Sequence, residues 1–189
     1  MIGIGKETPS PYAQGVCPLS KFRILCLRSD RIGDMLVSTP VIHRLRTLYP
    51  DAVLDVIVSP LGAVALEGNP DVDHVFVYDK KSVRTWFSLL PRLLEPHDLV
   101  VSFNARSKTL RMLTSLARGR RKGALNTGRL APWSGSPEDG EHYSGVMLRE
   151  LEAEFELPHD EHPDITFVSP CRKRWRPPFG RRIRRCPVC

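Results

Sequence analysis

The segment at residues 28–40 contains the side chains of this chain that are best suited to chemistry. Its polar turn, residues 29–34, separates a short apolar run from a segment with helical spacing. Gly33 lets the backbone of this turn bend tightly or come close to a ligand. We expect Asp34 at the start of the helix, where its carboxylate can accept a proton from an alcohol and make that alcohol a nucleophile. Free backbone N–H groups at the same helix end would contact an anionic ligand.

A structural role for Asp34 stays open at this point. Asp is a preferred N-cap residue and is favourable in the first turn of a helix. Spacing alone therefore favours capping over catalysis. The turn has no G-x-G-x-x-G pattern, so the sequence does not support a dinucleotide-binding fingerprint.

Short apolar runs alternate with helical patterns along the chain. Strands are predicted at residues 23–28, 53–58, 74–78, 98–103 and 121–125. Helices are predicted at residues 63–67, 82–94, 107–117 and 141–156, and also after the first strand, where Pro40 either kinks the helix or lets it begin after Thr39. This alternation predicts an α/β fold, a parallel sheet with helices on both faces. Ligands of such folds bind beyond the carboxyl ends of the strands, where residues 29–34 lie.

The positive charge of the chain is concentrated near its C-terminus. The formal net charge is +7, but eight of the 28 Lys and Arg residues, and none of the 21 Asp and Glu residues, fall after residue 170. The rest of the chain is close to neutral, which argues against a basic nucleic-acid-binding protein, an alternative that rests on this tail alone. We predict a loose arm at residues 1–21, a domain at residues 22–167, and a basic Arg/Pro-rich tail at residues 168–189 that does not pack on the domain.

Composition indicates an ordinary globular protein. No run approaches the roughly 20 apolar residues of a membrane-spanning helix, and the first residues lack the apolar stretch of a secretory signal. We therefore expect a cytoplasmic protein, and a peripheral contact with the inner membrane is compatible with this. Cys26 is expected to be a buried apolar side chain. Neither the Cys-x-x-Cys at residues 186–189 nor the His- and acid-rich residues 159–164 have metal-site spacing, so no metal is expected.

Two basic side chains follow the fourth predicted strand. Arg106 and Lys108 belong to the same edge of the sheet as residues 29–34, and Arg suits the geometry of phosphate groups on an acceptor. A solvated helix face explains both residues equally well.

The order of these motifs resembles that of the heptosyltransferase family, glycosyltransferase family nine. In that family an apolar strand and a polar turn lead to Gly-Asp, a few apolar residues and Thr-Pro, and residues 24–40 follow this pattern. Further matches follow in order at residues 49–52 (YPDA), 67–73 (EGNPDVD), 97–102 (HDLVVS), 121–123 (RKG) and 141–143 (EHY). The resemblance covers residues 23 to about 167, and it is specific because the order and the spacing both agree.

The resemblance implies the N-terminal, Rossmann-like half of a GT-B glycosyltransferase that transfers a sugar with inversion and without a metal or other cofactor. This half would receive a glycan or glycolipid acceptor such as the lipopolysaccharide core. A C-terminal half would bind a nucleotide-sugar donor such as ADP-heptose. The family's Gly-Asp aspartate is the general base, which transfers to Asp34, and we group Ser29, Gly33, Arg106 and Lys108 as substrate-binding residues.

The family pattern stops abruptly where the Arg- and Pro-rich tail begins. Such a change is typical of an out-of-frame reading or a truncated gene, and we expect this chain alone not to transfer sugar because the donor-binding half is missing. A noncatalytic remnant that binds an acceptor or a partner is the alternative.

Overall fold

The computed structural model describes residues 21–29, 31–79, 81–125 and 142–158. The strands are β1 (Arg23–Arg28), β2 (Val53–Val58), β3 (His74–Val77), β4 (His97–Ser102) and β5 (Gly119–Ala124). The helices are α1 (Ile32–Leu36), α2 (Thr39–Leu48), α3 (Pro60–Ala65), α4 (Val83–Leu94), α5 (Lys108–Leu116) and α6 (Tyr143–Phe155). The predicted arm at residues 1–21, apart from its last residue, and the tail at residues 168–189 lie outside the described residues.

The five strands form one parallel sheet in the order β3-β2-β1-β4-β5. The predicted α/β fold with a parallel sheet is therefore confirmed. The chain first builds outward from β1 to β2 and β3, and it then returns to place β4 and β5 on the other side of β1. The strand order thus reverses between β1 and β4, and a crevice for ligands forms outside the carboxyl ends of such a pair.

Helices cover both faces of the sheet, each over its own apolar layer. Side chains from β1, α2 and α6 form the first layer, which includes Ile24, Ile42 and Phe155. Side chains from β1, α4 and α5 form the second layer, which includes Leu25 and Leu113. Successive residues of β1 enter opposite layers because side chains alternate along a strand.

Cys26 is fully buried in the first layer, as predicted. Burial raises the pKa of its thiol, and the negative charge of Asp55 raises it further. The thiol is therefore a small apolar packing group rather than a reactive one.

Two helix boundaries differ from the prediction for local reasons. The segment after β1 forms two helices, because the chain turns at residues 37–38 and α2 begins at Thr39 with Pro40 in its first turn. Of the two alternatives, the start at Thr39 is the correct one. Helix α3 begins at Pro60, three residues before the predicted start, because the Ser59 side chain accepts a hydrogen bond from the Gly62 N–H and caps the helix.

The spacing of the apolar residues predicts that Trp86, Leu89, Leu90 and Leu93 share one face of α4, and one of these four residues lies elsewhere. Leu89 and Leu93 are buried and Trp86 packs against the second layer, in agreement with the prediction. Leu90 is exposed, with 36% of its surface accessible, so its assignment to the buried face is wrong. None of the described helices is long and apolar enough to cross a membrane.

The opposite, amino-terminal edge of the sheet is held by a cluster of charged side chains. The Arg23 guanidinium lies 3.1 Å from the Asp55 carboxylate and 2.6 Å from that of Glu95. The His74 ring contacts Asp55 at 2.7 Å. His97 is buried next to this cluster, and its Nδ1 has no hydrogen-bond partner among the described residues.

Gly123 is required by the packing of α6 on β5. A Cβ atom at this position would lie 2.5 Å from Cζ of the buried Phe155 ring. We expect Gly123→Ala to lower the free energy of unfolding by about 1–3 kcal/mol, the usual cost of overpacking. Urea denaturation measures this directly. Gly33→Ala is the control, because a Cβ there meets nothing within 4 Å, and equal losses in both variants would contradict the packing argument.

His97 should make the fold sensitive to mild acid. Burial, followed by the nearby charge of Arg23, lowers the pKa of His97 below its ordinary value of 6.5. Above pH 6.5 the His97 ring is largely neutral in both the folded and the unfolded protein. As the pH falls below 6.5, the unfolded protein binds the proton first, and the free energy of unfolding decreases. We expect His97→Gln to flatten the decline of unfolding free energy below pH 6.5, measured by urea denaturation across pH. An unchanged slope would show that His97 does not cause the decline.

Candidate functional site

The candidate site is built around Arg28, the last residue of β1. Its side chain is only 3% exposed, and its Nη1 donates a hydrogen bond of 2.8 Å to the carbonyl oxygen of Phe103, just after β4. The Phe103 N–H in turn donates to the Leu27 carbonyl at 3.0 Å. These bonds join the two strand ends at the point where the strand order reverses.

Asp34 faces this arginine from the first turn of α1. Its Oδ1 lies 3.9 Å from Nη2 of Arg28, and 49% of its side chain is exposed. The N-cap residue of α1 is Arg31, and no side chain caps this helix. Of the two structural roles, capping is therefore wrong, whereas Asp34 does occupy the first helical turn, where an aspartate is favourable. Its half-exposed carboxylate is open to a ligand.

Gly33 does not provide the tight turn expected from the sequence. Among the described residues, the glycine with a positive φ is Gly68. Gly33 is therefore outside the left-handed region, and any residue could adopt its backbone conformation. A Cβ at Gly33 would meet nothing within 4 Å. The missing side chain therefore leaves free space directly beside Asp34, which is compatible with the other expected role, the close approach of a ligand.

Ser29 lies at the carboxyl end of β1 and is buried, with 8% of its surface exposed. Its hydroxyl has no hydrogen-bond partner among the described residues. A buried hydroxyl without a partner carries a desolvation cost, which a ligand's polar atom would relieve. Asp30, the next residue, lies outside the described residues.

The start of α6 closes one side of the site. The Ser144 hydroxyl donates to the Val37 carbonyl at 2.8 Å, which fastens α6 to the turn between α1 and α2. The Arg28 guanidinium donates a hydrogen bond to the phenol oxygen of the neighbouring Tyr143. Burial raises the pKa of Tyr143, and the charge of Arg28 partly opposes this. The phenol is therefore protonated at neutral pH and remains a hydrogen-bond donor.

Arg106 and Lys108 follow β4 and reach the same edge of the sheet. Both side chains are exposed, and the Arg106 N–H donates to the side chain of Asn104 at 3.0 Å. Within the described part of the chain, no hydrogen bond or ion pair joins either residue to Asp34. The structure thus brings them to the edge where they were expected, but not into the cluster of Arg28, Asp34 and Tyr143.

Arg28 and Tyr143 are the site residues that sequence reasoning missed. The available signal for Arg28 was a charged residue ending an otherwise apolar strand. Tyr143 lies in the EHY segment that matches the family pattern, but nothing local indicates its contact with Arg28. That contact depends on α6 packing against the α1–α2 turn, more than 100 residues away in sequence. Among the described residues, no three His, Cys, Asp or Glu side chains lie close enough together to hold a metal ion.

Part of the chain resembles known proteins in sequence. No protein-family model matches the chain. Lipopolysaccharide heptosyltransferase 3 of Escherichia coli is 34% identical over 77 residues, covering 37% of this chain and 23% of that protein. A putative glycosyltransferase of Haemophilus influenzae is 30% identical over 83 residues, covering 43% of this chain and 24% of that protein. The matched regions therefore span about a quarter of the length of these relatives.

Solved structures of low sequence identity share the fold. A family 9 glycosyl transferase from Veillonella parvula superposes with a TM-score of 0.58 at 16% identity, over 81% of this chain and 45% of that one. The E. coli heptosyltransferase WaaC with ADP superposes with a TM-score of 0.58 at 16% identity, over 77% of this chain and 51% of that one. Each match therefore uses about half of the solved chain.

These matches agree with the motif order in the sequence. The Rossmann-like α/β fold expected for one half of a GT-B glycosyltransferase is confirmed. The resemblance of this chain to the heptosyltransferase family, glycosyltransferase family nine, is likewise confirmed. Each match covers only part of the related protein, which fits a match to the N-terminal domain alone.

Proposed function

We propose that this domain is the acceptor side of a glycosyltransferase, with Asp34 as the general base. The Asp34 carboxylate takes the proton of an acceptor hydroxyl. The hydroxyl oxygen attacks the anomeric carbon of a nucleotide sugar from the face opposite the leaving group. The bond from that carbon to the nucleoside diphosphate breaks, the diphosphate leaves with the electron pair, and the new glycosidic bond has the inverted configuration.

The observation that carries this proposal is the position of the Asp34 carboxylate. It follows β1, the strand at the strand-order reversal, it is half exposed, and it does not cap its helix. The buried guanidinium of Arg28 lies on one side and the free space over Gly33 on the other. A carboxylate with an open approach and a fixed neighbour on its far side suits proton transfer from a bound alcohol.

Substrate binding would use groups around this carboxylate. The buried Ser29 hydroxyl is a hydrogen-bonding group for an acceptor hydroxyl, and the space over Gly33 admits a sugar ring close to the backbone. Arg106 and Lys108, exposed at the same edge, would meet anionic groups of a larger acceptor such as a phosphorylated lipopolysaccharide core. No metal or other cofactor is part of this proposal.

The nucleotide-sugar donor would be bound by a second domain. Transfer requires that donor and acceptor be held together with water excluded. The described residues form one sheet with its helices, and the carboxyl ends of its strands would provide only the acceptor side of such an enclosed site. The relatives named above include a heptosyltransferase, and one solved structure of E. coli heptosyltransferase WaaC holds ADP-2-deoxy-2-fluoro heptose. We therefore propose a heptose-like sugar from a donor such as ADP-heptose, transferred to a lipopolysaccharide core or a related glycan.

Replacing Asp34 tests the proposed mechanism. We expect Asp34→Asn to reduce transfer by about 10²–10⁴-fold, the usual contribution of a general base, while the melting temperature stays nearly unchanged. Transfer is measured by mass spectrometry on the purified chain, mixed with a separately expressed donor-binding half of a family member, ADP-heptose and heptose-free lipopolysaccharide core. The same mixture without that half measures the background of the assay.

Asp51→Asn is the matched control for this experiment. Asp51 is an exposed aspartate in the turn before β2, outside the candidate site, so this variant should transfer sugar at the normal rate. Near-normal turnover by Asp34→Asn would remove Asp34 from the mechanism. Acceptor binding by the wild-type chain without turnover in any mixture would instead favour the noncatalytic, acceptor-binding alternative.

A further inference from the structure

Helix α4 has two apolar faces, and within the described part of the chain one of them is covered and the other is exposed. Leu89 and Leu93 are buried against the sheet. A second set of apolar side chains follows helical spacing and is exposed: Val83 (69%), Phe87 (72%), Leu90 (36%) and Leu94 (52%). A helix that is apolar on most sides is usually buried by its surroundings. The exposed second face of α4 therefore indicates a surface that binds a partner.

Helix α5 adds to the same apolar surface. Met112 and Leu116 are one helical turn apart and exposed by 43% and 44%. Both helices cover the second layer of the core, and right-handed crossovers from β3 to β4 and from β4 to β5 place α4 and α5 side by side on that face. The buried residues of both helices point at the sheet, and successive residues of a helix are rotated by about 100°. This rotation places the exposed apolar residues of α4 on the side that faces α5. It places Met112 and Leu116 on the side of α5 that faces α4. The six side chains are therefore expected on the facing sides of these two helices, a surface here called the α4–α5 groove.

The surroundings of this groove are strongly basic. Residues 81–94 and 99–118 contain no Asp or Glu. They contain seven basic residues: Lys81, Arg84, Arg92, Arg106, Lys108, Arg111 and Arg118. Arg92 is engaged with Glu95 at 2.8 Å, whereas Arg84, Lys108 and Arg111 are exposed on the helices that form the groove.

We propose that the α4–α5 groove and its basic rim dock on the surface of an anionic lipid bilayer. An apolar stripe containing Phe and Leu, flanked by Lys and Arg, is the arrangement by which helices lie at the boundary between headgroups and acyl chains. The apolar side chains enter that boundary, and the basic side chains contact anionic headgroups. Neither element needs to cross the membrane.

Two other occupants fit the groove less well. A second copy of this chain would bring the same basic surface against itself, and like charges across an interface oppose association. A nucleic acid would use the basic rim, but its backbone contacts leave six exposed apolar side chains without a role. The bilayer uses both features at once.

Vesicle co-sedimentation with the full chain tests this proposal. At physiological salt, the wild type should bind vesicles that contain phosphatidylglycerol and phosphatidylcholine, and bind pure phosphatidylcholine vesicles weakly. Phe87→Ser combined with Met112→Ser should weaken binding to the anionic vesicles by about tenfold, since both side chains lose their place in the boundary region. Arg84→Gln combined with Arg111→Gln should weaken it by about 25-fold, at about fivefold per charge.

Matched controls separate this surface from nonspecific attraction. Leu61→Ser removes a side chain of similar exposure (62%) from α3, on the opposite face of the sheet. Arg149→Gln removes one charge from α6 on that same opposite face. Both controls should bind the anionic vesicles like the wild type, because they leave the α4–α5 groove and its basic rim unchanged. The basic residues 172–185 are common to every variant, so their attraction to anionic lipid is the same in all of them.

Two outcomes would overturn the proposal. The first is unchanged vesicle binding by the Phe87/Met112 variant, which would assign binding to charge alone. The second is a dimer of the wild type in sedimentation velocity that the same variant converts to a monomer, which would assign the groove to a second copy. Circular dichroism melting of each variant confirms that the fold is retained, as expected for substitutions at exposed positions.

Discussion

The burial of one positive charge, the guanidinium of Arg28, organises the candidate site. An unpaired buried charge is costly, so the groups around it must supply hydrogen bonds and negative charge. The Phe103 carbonyl after β4, the Asp34 carboxylate in α1 and the Tyr143 hydroxyl in α6 are those groups. Three segments that are distant in sequence are thus held around the end of β1, and the carboxylate that remains half exposed is the one proposed to react.

The topology explains why this point of the fold is available for chemistry. Between β1 and β4 the strand order reverses, so the segments leaving these two strands diverge and open a crevice. The α1–α2 turn and the start of α6 border this crevice, and the bond from the Ser144 hydroxyl to the Val37 carbonyl fixes their separation. The charged cluster of Arg23 and Asp55 stabilises the opposite edge of the sheet, away from the site.

The sequence predicted the central strands well because parallel strands buried on both faces are short, continuous apolar runs. The five strands were located to within about two residues, and β1 is indeed buried on both faces. Helix starts were less predictable where a side-chain cap decides them, as Ser59 does for α3. Leu90 was misassigned because periodicity shows that a residue is apolar but not whether a neighbouring element covers it.

The candidate site was predictable only where its residues are adjacent in sequence. Gly33 and Asp34 stand in one motif, and the structure places them at the expected edge. Their surroundings depend on tertiary contacts that no spacing encodes, namely Arg28 with Phe103 and Tyr143. The tail lies outside the described residues, so its failure to pack on the domain stays a prediction.

A double-mutant cycle between Arg28 and Asp34 tests most directly whether the buried guanidinium acts through the carboxylate. Turnover is measured for Arg28→Lys, Asp34→Asn and the double variant in the reconstituted transfer reaction, with melting temperatures recorded for each. If Arg28 positions Asp34, Arg28→Lys should lower kcat in the presence of Asp34 and have little further effect in the Asp34→Asn background. Additive losses in the double variant would contradict this account and show that the two residues act independently.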